Sequence, residues 1–196
     1  MKSKKLLGVG MAALFSISVL SGCSALDSLL GKANAVILYG DEAQINKASD
    51  TYKKEVKSTD KYKVKMIELN SKKIMVINDI VAEKMVEKGL LKKVTANDEV
   101  TPLKEIPKSD EGIVFAKSKT DVVEMKGQKL KYGGNVVIGD ARVYADMFAI
   151  VKDEVYKELQ ETEKSVGVLE FSKDPDDKMA PLTKEVERAQ LVKLEK

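Results

Sequence analysis

The strongest constraint on the fold is a phrase that the chain uses three times: "VILYGDEA" from Val36, "IMVINDIV" from Ile74 and "VVIGDARV" from Val136. Each is an apolar run, then glycine or asparagine, then aspartate, then a stretch read as the start of a helix. An unbroken apolar run of this length reads as a strand buried on both faces. Glycine and asparagine tolerate the sharp turn out of such a strand. An aspartate at the next position accepts hydrogen bonds from the free N–H groups of a first helical turn and opposes the helix dipole. Three βα units predict an α/β fold in a single domain, with a mixed, partly parallel sheet and about three helices.

The periodicity between these phrases supplies the other elements. Ile45, Ala48, Tyr52 and Val56 share one helical face. "YKVKMIEL" (62–69) alternates as a half-exposed strand, and Asn70-Ser71-Lys72 is short enough to turn it into the run at 73–78. A second helix is expected over 79–91, with Gly89 marking its end. A short strand at "KKVTA", a loop between Pro102 and Pro107, and strands at 112–118 and 121–125 follow. Lys126-Gly127 would turn the chain into "QKLKY", and Gly133-Gly134 would interrupt regular structure. The stripe Tyr144, Phe148, Val151, Val155 and Leu159 predicts the longest helix, from Ala141 to Lys164. A strand at 165–171, a polar loop at 173–178 and a helical tail complete the expectation. With no tryptophan and one cysteine, the core must be aliphatic and free of disulfides.

Asp41, Asp79 and Asp140 carry two readings. They are helix N-caps, or, if their strands are parallel neighbours, they line one sheet edge where a cation or small molecule binds. Asp174, Asp176 and Asp177 surround Pro175 in a polar turn and read as solvated acids. The chain has no histidine, which removes Ser-His-Asp and Cys-His machinery and ordinary zinc sites. Neither a G-x-x-x-x-G-K-[ST] loop nor a G-x-G-x-x-G fingerprint is present. No catalytic residue, metal site or cofactor is assigned, and the protein is expected not to be an enzyme.

The N-terminus reads differently. "MKSKK" is a basic cluster, and Leu6–Leu20 follows without a charge. That is the layout of a secretory signal, and it is shorter than the ~20 residues that span a bilayer. Small residues then lead to the only cysteine in Leu20-Ser21-Gly22-Cys23. These four positions resemble the lipobox of bacterial lipoproteins. The resemblance implies a signal peptide at 1–22, cleavage before Cys23, acyl chains such as palmitate on that residue, a lipidated tether at 23–33 and an envelope domain at 34–196. Two or three acyl chains anchor stably where one is marginal. It also implies attachment to the cell membrane or outer membrane, facing the periplasm or the outside. Ser24 after the cysteine is compatible with outer-membrane sorting in a two-membrane cell.

The formal charge of +3 equals the three lysines of segment 1–22, so the rest of the chain is neutral. A neutral domain has no global field for nucleic acid, and none is expected as a partner. The run "NDIVAEKMVEKGLLKKVTA" is similar to small α/β domains of periplasmic assembly lipoproteins, of the curli-secretion and penicillin-binding-protein-activator kinds. That similarity implies a protein-binding or assembly factor with other envelope proteins as partners. The alternative is a small-molecule or cation-binding lipoprotein using the acidic edge. A direct check is detergent phase partitioning: the native chain should enter the detergent phase, and Cys23→Ala should move to the aqueous phase.

Overall fold

The structure, a computed structural model, describes residues 33–119 and 123–195. The expected signal segment, Cys23 and residues 24–32 of the tether lie outside the described residues. β1 (Ala35–Gly40) is buried along its whole length, as its unbroken apolar run demands. α1 (Glu42–Thr51) follows, then the 14-residue β2 (Val56–Leu69) and β3 (Lys72–Asn78). Asn70 and Ser71 join these two strands with φ of 51° and 60°, the left-handed pair that a two-residue hairpin turn requires.

α2 (Asp79–Glu87) stops at Gly89, whose φ is 71°. The Leu90 amide donates to the Met85 carbonyl and the Gly89 amide to that of Val86, both bonds of a Schellman motif. β4 (Leu91–Val94), β5 (Val100–Pro102), β6 (Gly112–Ala116), β7 (Val123–Met125), β8 (Gln128–Gly134) and β9 (Val136–Ile138) come next. β10 (Met147–Val151), α3 (Asp153–Glu158), β11 (Glu163–Phe171), α4 (Met179–Glu185) and β12 (Arg188–Val192) complete the order.

Nine strands form one sheet in the order β12-β1-β11-β2-β3-β10-β6-β8-β7, and β5-β4-β9 form a second. The β3–β10 and β6–β8 pairs are parallel and the others antiparallel, so the sheet is mixed as the βα grammar implies. α2 and the small sheet cover one face of the large sheet, over Met75, Ile77, Phe148, Ile150 and Val168. On the other face Ile45 of α1 and Leu182 of α4 pack on Val36, Leu38 and Leu169, while Tyr156 of α3 packs on Val76, Ala149 and Val151.

The fold differs from the sequence expectation in three places. Ala141–Lys164 is not a long helix. Its Met147–Val151 segment is β10, a central strand buried throughout. Phe148 and Ile150 bury on one face, and Met147, Ala149 and Val151 on the other. A helix would have exposed part of that continuous run, and helical spacing within it was coincidence. The expected helical tail is β12, pairing with β1, because Gln190 and Val192 bury in alternation along it. Gly133 lies inside β8, and the strand ends at Gly134 (φ 113°), where its register with β6 shifts. A Cβ on Gly133 would sit 2.5 Å from Ile113 Cγ2 and 2.6 Å from Phe115 Cε1, so glycine is what lets β8 lie close to β6. The loop expected between Pro102 and Pro107 is present, and Pro102 itself is the last residue of the edge strand β5.

Candidate functional site

β3 and β10 are parallel neighbours that end together, with Val151 opposite Asn78. From there the chain enters α2 on one face of the sheet and α3 on the other. Two adjacent parallel strands whose helices depart to opposite faces make a switch point, where open α/β sheets form a crevice. Asn78 ties the two helix starts together. Its Oδ1 accepts from the Val81 amide at 2.8 Å, capping α2, and its Nδ2 donates to Asp153 Oδ1 at 2.7 Å. Lys157 Nζ lies 2.5 Å from the other Asp153 oxygen. Lys157 first, and Asn78 second, hold the Asp153 carboxyl below the usual carboxylate range.

A groove of about 440 Å³ opens beside this clasp. Lys61, Tyr62 and Lys63 of β2 form one wall, Val81 and Lys84 of α2 another, and Tyr156 and Glu163 a third. Lys63 Nζ lies 2.7 Å from Glu163, which raises the lysine's pKa. The Tyr156 hydroxyl donates to Glu163 Oε2 at 3.4 Å; burial, then that carboxylate, pushes the phenol up. Beneath the groove Lys65 is buried. Its Nζ donates to the Tyr156 and Leu159 carbonyls at 3.0 and 2.5 Å and lies 4.9 Å from the Tyr156 ring centroid. That cation completes the C-terminal end of α3. Burial, helped by Asp60 and Glu87, pushes the Tyr62 phenol up to about 12, so the ring between the two lysines is neutral at physiological pH. Among the described residues, Lys61 and Lys84 have no carboxylate within ion-pair distance.

The three aspartates of the repeated phrase do not meet. β1 runs antiparallel to β3, so their C-terminal ends approach from opposite directions, and β9 belongs to the second sheet. Asp41 is the N-cap of α1, with its amide donating to Gln44 Oε1 at 2.8 Å in a capping box. Its carboxylate also takes Lys164 Nζ at 2.7 Å, and Lys164 reaches Glu187 at 2.6 Å. Asp79 is one residue too late to cap, since Asn78 holds that position; among the described residues its carboxylate accepts only from the Ile80 amide, at 3.0 Å. No helix follows Asp140. It pairs with the buried Lys92, accepts from the Lys193 amide at 3.2 Å, and its own amide donates to Gln190 Oε1 at 2.6 Å. That network ties the small sheet to the segment after β12. Among the described residues no group of three or more metal-ligating side chains comes together.

Asn78, Asp153, Lys63 and Glu163 were not singled out by sequence. Asn78 stood within the second phrase and carries the side chain best suited to cap. The pairing of the other three depends on strands distant in sequence.

Residues 33–195 match the family described as "Uncharacterised lipoprotein family". The chain belongs to that family. No curated protein matches it. Its fold is similar to the 1.5 Å crystal structure named "Putative Lipoprotein from Bacillus anthracis", with 42% identity and a TM-score of 0.79, over 83% of this chain and 100% of that one. Membership in a lipoprotein family associates the protein with the bacterial envelope.

The differing roles of the aspartates have a measurable consequence. Asp140→Ala leaves the buried Lys92 ammonium without its carboxylate and should cost about 3 kcal/mol. Asp79→Ala, at an exposed first-turn position, should cost about 0.5 kcal/mol. Urea denaturation of the two variants checks this, and equal losses would contradict the assignment.

Proposed function

We propose that this lipoprotein is a membrane-anchored, non-enzymatic binding module that offers the crevice at the ends of β3 and β10 to another envelope protein and helps assemble a complex. In this reading segment 1–22 is removed, Cys23 carries the acyl chains, and the domain faces the periplasm or the outside of the cell. The observation that carries the reading is the open groove at the switch point. Its size lies within the range of binding sites, and switch points are where such folds bind.

Two further features support it. The ionised groups nearest the clasp engage one another, Asp153 with Lys157 and Glu163 with Lys63, so neither carboxylate is offered as a general base. β1 leads from Ala35, next to the first described residues, to Gly40 at the groove. Its six residues span roughly 20 Å. The binding surface therefore lies at the end of β1 remote from where the tether joins.

A second reading, a small-molecule ligand in the same groove, is favoured by the volume alone. The cation reading loses its geometric support, because Asp41 and Asp140 hold lysines and Asp79 stands apart.

Photo-crosslinking in living cells tests the proposal. A photoreactive residue at Lys84 should capture a reproducible envelope protein, and the same residue at Lys173, beyond the far end of β11, should not. Adding Cys23→Ala should abolish the capture. Equal capture from both positions, or none from Lys84, would contradict it.

A further inference from the structure

The large sheet contains an edge that is internal to its order. β2 pairs with β11 from Val56 to Lys65, but with β3 only from Lys65 to Leu69. Asn78, where β3 ends, stands at the level of Lys63 in this register, and beyond it no described strand lies on that side of β2 from Val56 to Tyr62. In an antiparallel strand alternate residues direct both N–H and C=O to the same side. Along this half of β2 every second residue therefore turns its backbone groups toward the vacant position. The groove lies against this edge at Lys61, Tyr62 and Lys63, with Val81 and Lys84 of α2 across from them.

The side chains along the edge specify what fits. Lys57, Lys61 and Lys63 occupy alternate-face positions of β2 and are exposed, and Lys84 is exposed across the groove. Only Lys63 of these four has a carboxylate within ion-pair distance among the described residues. We infer that the open half of β2 receives an extended, acidic segment of a partner protein, which adds as a strand beside Val56–Tyr62 with its carboxylates toward the lysine row. This inference rests on the protein-binding reading of the same groove and names the chemistry of the partner. A second copy of the chain would place its own lysine row against this one, and like charges across strands are destabilising. Strand addition obtains affinity from main-chain hydrogen bonds and specificity from alternate side chains, which are the two things this edge offers.

The test uses the full chain in detergent and three peptide probes. The first alternates Glu and Val. The second alternates Lys and Val. The third is the Glu-Val peptide with alternate backbone amides N-methylated. The first should bind and slow amide exchange within residues 57–63. The second should not bind, and the third should bind about tenfold more weakly because it keeps the charge and loses backbone donors. K61E/K84E, at two exposed positions, should weaken the first peptide by about tenfold while leaving the circular dichroism spectrum unchanged. No slowing in 57–63, or equal binding of the methylated probe, would overturn strand addition. An edge whose lysines merely block pairing would give the same null result with all three probes, and would overturn it too. Capture from Lys84 in cells is read separately, so a partner that docks without adding a strand is distinguished from no partner at all.

Discussion

Lys65 is the residue at which β2 has strand neighbours on both sides, Glu163 of β11 and Val76 of β3. The sheet's two halves are joined through this one register position. The same residue sends a buried ammonium to the last carbonyls of α3. A charge there is tolerated because it meets two carbonyl oxygens and an aromatic face, which replace part of the water it loses. Sheet register, α3 placement and the groove above them thus share one side chain. β1 and β3 are offset along β2: β1 lies level with the first half of β2's span, across β11, and β3 beside the second.

That offset is why the crevice exists. β3 and β10 stop at the same level, and their helices leave on opposite faces. The backbone is held there by Asn78, which caps α2 and donates to Asp153 of α3. Removing a capping side chain of this kind costs about 1 kcal/mol in a typical helix, and here the same side chain also spans two elements. The clasp keeps the mouth of the groove fixed while β2's flank remains without a strand partner.

Much of the fold was legible in sequence because its strands are continuous apolar runs. β1, β3 and β9 stand where the repeated phrase put them, and the Asn70-Ser71 and Lys126-Gly127 turns have the left-handed backbone that Asn70 and Gly127 tolerate best. β10 was misread because Met147–Val151 satisfies two periods at once. A fully buried strand carries no alternation to distinguish it from a buried helix. The phrase itself misled at Asp140: glycine and aspartate also suit a turn, and only the later segment decides whether a helix follows. The candidate site was less legible still. It depends on pairings such as Lys63 with Glu163, and on β3 ending halfway along β2, neither of which leaves a local sequence signal. Family membership agrees with the lipobox resemblance, which rests on residues outside the described domain.

Through Val56–Tyr62, β2 has a strand neighbour on one side only among the described residues. Residue-resolved amide exchange on the free protein tests it most directly. Phe148 and Ile150 of β10, flanked by β3 and β6, should exchange slowly throughout. Residues 57–63 should alternate between slow and fast, the fast amides being those turned toward the vacant position. Uniformly slow exchange across 57–63 would mean that the edge is already covered, and would contradict the account.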